Sequence, residues 1–133
     1  MAADDSALHR RVPNQAHRVV ICHEVDYVRA AMTAVAERAG FTVASELAGA
    51  GELRQTVVEL QPALVVFDMA PKTTGPPELA ALLKAAPDVL TVVFSDHQPW
   101  REQALAAGIT AWVDKPEFDH LAAVLQGLYP GPG

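Results

Sequence analysis

The chain has 133 residues, half of them apolar, with a formal net charge of -6 and a pI near 5.2. That length suits one hydrophobic core and leaves no room for a second domain. The acidic balance excludes the clustered Lys and Arg of a nucleic-acid surface and fits docking to a partner protein instead.

Residues 1–16 have no hydrophobic period and include Pro13, so they are expected to form a mobile tail ahead of a domain over 17–129. The segment Met1 to Asn14 lacks the apolar centre of a signal peptide. No apolar stretch approaches the roughly 20 residues that span a bilayer, so no membrane association and a cytoplasmic location are expected.

A first strand is predicted over 18–23, where Cys22 closes the apolar run Val19-Val20-Ile21. As the single cysteine it cannot form an internal disulfide and reads as a small buried hydrophobe. Helical spacing over 25–39 places Val28, Ala31, Met32, Val35 and Ala39 on one stripe, with Gly40 as the stop. Strand 41–45 follows, then a helix over 51–60 carrying Leu53, Val57 and Leu60 before Pro62. Strand 63–67 is apolar throughout, as a strand covered on both faces should be.

The alternation continues with a helix over 77–85, a strand over 89–94, a helix over 99–107 and a strand over 109–113. A last helix over 117–128 carries Leu121, Val124, Leu125 and Leu128 before Pro130, leaving 130–133 as a short tail. Five βα units call for a doubly wound α/β fold, a five-stranded parallel sheet with helices on both faces.

Three apolar strands end on polar residues: Asp68, Ser95, and Asp114-Lys115-Pro116. Ligands of open parallel sheets bind in the crevice beyond the carboxyl ends of the strands. An acid, a hydroxyl and an ammonium meeting there suit a carboxylate that accepts a phosphoryl group while Ser95 and Lys115 hold the added oxygens. Each residue also has a plainer reading: Asp68 as a turn cap, Ser95 as ordinary turn chemistry, Lys115 as a solvated surface charge. Pro116 fixes a bend that orients the lysine stem, and an ammonium beside a carboxylate stabilises charge developing on a transferred group. After the first strand stand His23 and Glu24, then Asp26. Glu24 and Asp68 offer hard oxygen ligands for magnesium, whereas His23 is a poor ligand for that ion. The segment after the first strand has no Gly-rich phosphate loop, which disfavours a flavin- or nucleotide-binding enzyme.

In this order and spacing, five segments resemble the receiver domain of two-component response regulators. They are Arg18 to Glu24 with Arg29; Ala39-Gly40-Phe41; Pro62 to Asp68 with Pro71 and Gly75; Val92 to Ser95; and Ala106 to Gly108 through Trp112 to Pro116. The resemblance runs from about Arg18 to Leu128 and implies the flavodoxin-like strand order 2-1-3-4-5. It implies Asp68 as phosphoacceptor, Lys115 as phosphate partner, and Ser95 as the hydroxyl that moves toward the phosphoryl group. Trp112 matches the switch aromatic and Glu24 the acid that contacts Mg2+. It further implies a signalling module rather than an enzyme. A sensor histidine kinase or phosphotransfer protein would act upstream and an effector protein downstream, with the face of helix 4, strand 5 and helix 5 rearranging between them.

Several positions depart from that pattern. His23 replaces one of two adjacent acids, so Mg2+ is expected to bind weakly. The loop between Asp68 and Pro71 is one residue short and puts Ala70 where a backbone carbonyl completes the metal site. Asp96 stands where a small residue is usual, and two charges 4 Å apart interact by about 4 kcal/mol at an effective dielectric near 20. Trp112 is bulkier than the usual aromatic and is read either as a switch that is hard to bury or as simple packing. Two functions follow: a stand-alone receiver phosphorylated on Asp68, monomeric or weakly homodimeric, or a degenerate receiver acting as a phosphorylation-independent interaction module.

Overall fold

A computed structural model describes residues 16–131, so the expected N-terminal tail and the last two residues lie outside the described part. Strands β1 (Arg18–Cys22), β2 (Thr42–Leu47), β3 (Leu64–Phe67), β4 (Leu90–Ser95) and β5 (Ala111–Asp114) form one sheet. Its order is β2-β1-β3-β4-β5, with every neighbouring pair parallel. Between them run helices α1 (Asp26–Arg38), α2 (Leu53–Leu60), α3 (Pro76–Ala85), α4 (Arg101–Ala107) and α5 (Phe118–Leu128). Both the topology and the five βα units match the sequence expectation.

Because successive side chains on a strand point to opposite faces, the central strands feed two cores at once. Val20, Val65, Phe67 and Val93 pack with Leu53, Val57, Leu79 and Leu82 beneath α2 and α3. On the other face Ile21, Leu64, Val66 and Phe94 pack with Met32, Val35, Leu121 and Leu125 beneath α1 and α5. Each of the four β3 side chains is fully buried, and each such burial stabilises the fold by roughly 1.5–3 kcal/mol. With β1 and β3 held this firmly, the chain leaves them in opposite directions across the sheet. The crevice at their carboxyl ends is therefore the topological switch point.

Most element boundaries differ from the sequence reading by one or two residues. Strand β5 starts at Ala111 rather than 109, because the Ile109 N–H is already bonded to the Ala104 carbonyl at the end of α4. Helix α2 starts at Leu53 rather than 51 and ends at Leu60 as expected, followed by Gln61 in a left-handed conformation (φ 49°) without a glycine.

Helices α1 and α4 end in the same six-residue wrap. Gly40 N–H bonds to Glu37 and Phe41 N–H to Ala36; Gly108 N–H bonds to Leu105 and Ile109 N–H to Ala104. Both glycines have positive φ, 110° and 113°. A Cβ on Gly40 would lie 2.7 Å from the Tyr129 ring, whereas one on Gly108 would meet nothing within 4 Å. Gly108→Ala should therefore cost only the left-handed strain, about 1–2 kcal/mol, and Gly40→Ala more. Urea unfolding checks the order, and the extra cost should disappear in a Tyr129→Ala background.

Candidate functional site

Asp68 follows Phe67 at the tip of β3, His23 and Glu24 follow β1, and Lys115 follows β5 through a cis peptide to Pro116. The three tips converge. Lys115 Nζ lies 3.3 Å from Asp68 Oδ2 and 2.8 Å from His23 Nε2, and His23 Nε2 lies 3.7 Å from the same carboxylate oxygen. The other oxygen, Asp68 Oδ1, is buried without a hydrogen-bond partner among the described residues.

His23 is buried in this cluster, and its backbone is held by Arg29, whose Nη1 donates to the His23 carbonyl at 2.7 Å while Nη2 pairs with Asp26. The Val25 N–H donates to His23 Nδ1 at 3.0 Å, which assigns the neutral ring's proton to Nε2. Nε2–H and the Lys115 ammonium are then two donors crowding one carboxylate oxygen, and the 2.8 Å approach between them is not itself a hydrogen bond. Burial first, and the neighbouring Lys115 charge second, hold the His23 pKa below its ordinary 6.5. A position that the family resemblance fills with an acid thus carries a neutral imidazole. Cys22, one residue earlier, has its pKa pushed up to about 11 by burial and by the Asp68 charge, so it is an inert core thiol.

Ser95 is fully buried, and its hydroxyl donates to the Met69 carbonyl at 2.6 Å while accepting the His97 N–H at 3.0 Å. It reaches the residue after Asp68 rather than Asp68 itself. Trp112, expected to be hard to bury, is only 6% exposed and packs under α3 and α4 with its indole N–H on Asp114 Oδ1 at 3.0 Å. Gln98 donates to that same carboxylate oxygen. Sequence reasoning missed this anchor, although Trp112 and Asp114 stand two residues apart on one face of β5; Gln98 reaches it only because β4 and β5 pair.

Asp96 is exposed and lines a neighbouring groove of about 360 Å3 with Tyr27, Val28, Lys115 and Phe118. Its expected repulsion of a phosphoryl group is weakened by water, which reduces a 4 Å interaction to about 1 kcal/mol. The carbonyl of Ala70 accepts both the Thr73 N–H at 3.0 Å and the Thr73 hydroxyl at 3.3 Å, closing a tight turn over Pro71 and Lys72. Both of its lone pairs are occupied.

Glu24, Asp68, Thr73 and Thr74 line one small depression of about 10 Å3. Among the described residues no cluster of three or more His, Cys, Asp or Glu side chains forms a metal site, so a cation here would draw on two carboxylates and neutral oxygens. That donor set suits a small hard ion such as magnesium, which keeps part of its water shell. Glu24 is exposed and Asp68 Oδ1 lacks a partner, so both fit that use.

The lowered His23 pKa has a consequence for stability. Below pH 6.5 the unfolded chain binds more protons at this residue than the folded one. Stability tied to the neutral ring is complete above that pH and is lost as pH falls toward the lowered folded value. Thermal unfolding between pH 7.5 and 5 should show a steeper loss for the wild type than for His23→Gln. Parallel curves would contradict this.

No family model matches the chain, and no curated protein sequence matches it. Solved structures do. CheY in the CheX-CheY-BeF3-Mg+2 complex from Borrelia burgdorferi aligns with TM-score 0.75 and 15% identity over 86% of this chain and 90% of its own. A two-component response regulator of the LuxR family from Aurantimonas sp. SI85-9A1 aligns with TM-score 0.71 and 26% identity over 83% and 85%. The CheY-like receiver domain protein from Methanospirillum hungatei JF-1 gives TM-score 0.71 and 22% identity over 84% and 92%. Each shares the parallel doubly wound layout at most of its length. In architecture this chain has the CheY-like doubly wound fold that solved response regulator receiver domains share.

Proposed function

We propose that the domain accepts a phosphoryl group on Asp68 and relays its arrival to a partner-binding face. The observation that carries this reading is the asymmetry of the Asp68 carboxylate: Oδ2 lies 3.3 Å from the Lys115 ammonium, while Oδ1 has no hydrogen-bond partner among the described residues and Asp68 lines a small depression with Glu24 and Thr74. The donor is a phosphohistidine on a cytoplasmic sensor kinase or phosphotransfer protein. Asp68 Oδ2 attacks phosphorus in line, the P–N bond breaks as the new O–P bond forms, and the imidazole leaves with a proton. Lys115 stabilises charge on the transferred oxygens, and its stem is directed by Pro116. Glu24 and Asp68 Oδ1 are the groups that would hold Mg2+, whose chemistry is to neutralise the phosphoryl oxygens. His23, being neutral, adds no charge to that balance, so the ion is held more weakly than between three carboxylates.

The output path follows from the hydrogen bonds at the tip of β4. For Ser95 to meet a phosphoryl oxygen its hydroxyl must leave the Met69 carbonyl, and it also holds the His97 N–H. His97 precedes the short turn Gln98–Trp100, and Gln98 shares Asp114 with Trp112. Displacement at Ser95 therefore reaches Trp112 and α4 through one contiguous set of bonds, altering the α4, β5 and α5 face for an effector. The Borrelia structure, a CheX-CheY complex containing BeF3 and Mg+2, supports a partner-bound, phosphate-mimicking state for this fold. Among the described residues no helix is long and apolar enough to cross a membrane.

Incubation with acetyl phosphate or phosphoramidate and Mg2+, followed by intact-mass measurement, should add one phosphoryl group to the wild type and none to Asp68→Asn. Lys115→Ala should slow the gain about a hundredfold or more, the usual cost of removing one charge-stabilising group. A wild type that gains nothing from these donors or from a candidate kinase would favour the phosphorylation-independent binding module instead. In the phosphorylated protein Trp112 fluorescence should change, and Gln98→Ala should reduce that change while leaving the mass gain intact.

A further inference from the structure

Among the described residues, two buried oxygens near the Asp68 depression have no hydrogen-bond partner. One is Asp68 Oδ1; the other is the hydroxyl of Thr74, a residue only 2% exposed. Both residues line the same depression, together with Glu24. A buried hydroxyl without a hydrogen bond is costly, and in a native fold each such atom calls for a water or an ion that completes it. The depression, at about 10 Å3, has room for a single water-sized occupant. Of its lining residues, Glu24 and Asp68 offer carboxylate oxygens and Thr74 a hydroxyl, beside the His23 ring and the Cys22 thiol.

The shortened loop explains why a threonine stands there. Ala70 N–H bonds to the Thr74 carbonyl at 3.2 Å, and the Ala70 carbonyl is saturated by Thr73. The chain thereby folds back over Pro71 and Lys72 and returns Thr74 to the depression. Thr74 is then fixed from behind, because Gly75 starts α3 with its N–H on Glu78 Oε1 at 2.9 Å. The backbone carbonyl that the resemblance assigns to the cation is consumed within the turn, and a side-chain oxygen is delivered in its place.

We propose that the Thr74 hydroxyl is the neutral oxygen ligand of the divalent cation attracted by Asp68 Oδ1 and Glu24, substituting for the carbonyl of Ala70. A threonine hydroxyl keeps its proton on ligation and uses an oxygen lone pair, so no charge changes at this position. The choice of cation rests on the receiver reading; the geometry of the two unpaired oxygens does not.

Titration calorimetry of the full chain with Mg2+ alone tests the assignment, with phosphorylation followed separately by intact mass. Thr74→Val keeps the shape and removes the hydroxyl, so it should weaken Mg2+ binding by about tenfold or more. Thr74→Ser should retain affinity within a few fold. The metal-free Val variant should unfold at the same or a higher temperature than the wild type, because the lost hydroxyl had no partner; a purely structural threonine would give the opposite. Equal Mg2+ affinity in wild type and Thr74→Val, or a wild type that binds no Mg2+, would overturn the proposal. In the first case phosphorylation of the wild type would leave the receiver reading intact. Thr74-dependent Mg2+ binding with no mass gain from any donor would do the reverse, sinking the receiver reading and sparing the cation site.

Discussion

A largely buried carboxylate held by a single ammonium organises this molecule. Asp68 sits at the end of a strand whose side chains are all buried, so its position is set by core packing on both faces of the sheet. Taking a charge out of water is expensive unless it is compensated. Lys115 compensates one oxygen at 3.3 Å, and the other has no hydrogen-bond partner among the described residues. That imbalance is what allows a further positive group to be attracted, because a fully satisfied carboxylate would have no such appetite.

His23 changes the electrostatics of this arrangement without changing its shape. Burial and the nearby lysine keep its ring neutral, so the pocket has two carboxylates, Glu24 and Asp68, against one ammonium. An acid in its place would raise the negative charge and hold a divalent ion more strongly. The ring lines the depression and lies 2.8 Å from the Lys115 ammonium, beside the carboxylate oxygen that the ammonium contacts.

The same economy governs the link from site to surface. Ser95, His97, Gln98, Asp114 and Trp112 are joined by hydrogen bonds that run across the tips of β4 and β5. With Trp112 already inside and tied to Asp114, the aromatic does not wait outside for a signal. The part of the path free to respond is the Ser95 hydroxyl, bonded to the Met69 carbonyl next to Asp68. A two-state element at that hydroxyl can bias the α4 surface because the intervening groups are packed and bonded rather than loose.

The alternation of apolar strands and striped helices determined the doubly wound sheet from sequence alone, since periods of 2 and 3.6 residues report directly which faces must be buried. The strand-end positions of Asp68, Ser95 and Lys115 followed, because a parallel sheet brings all its carboxyl ends to one edge. What only the folded chain decided depends on contacts between distant residues or on which lone pairs a turn consumes. The Ala70 carbonyl is lost to Thr73, Thr74 enters the depression, Asp96 faces solvent, and Trp112 is buried against Asp114. Periodicity carries no record of hydrogen-bond partners, and these four positions are set by partners rather than by pattern.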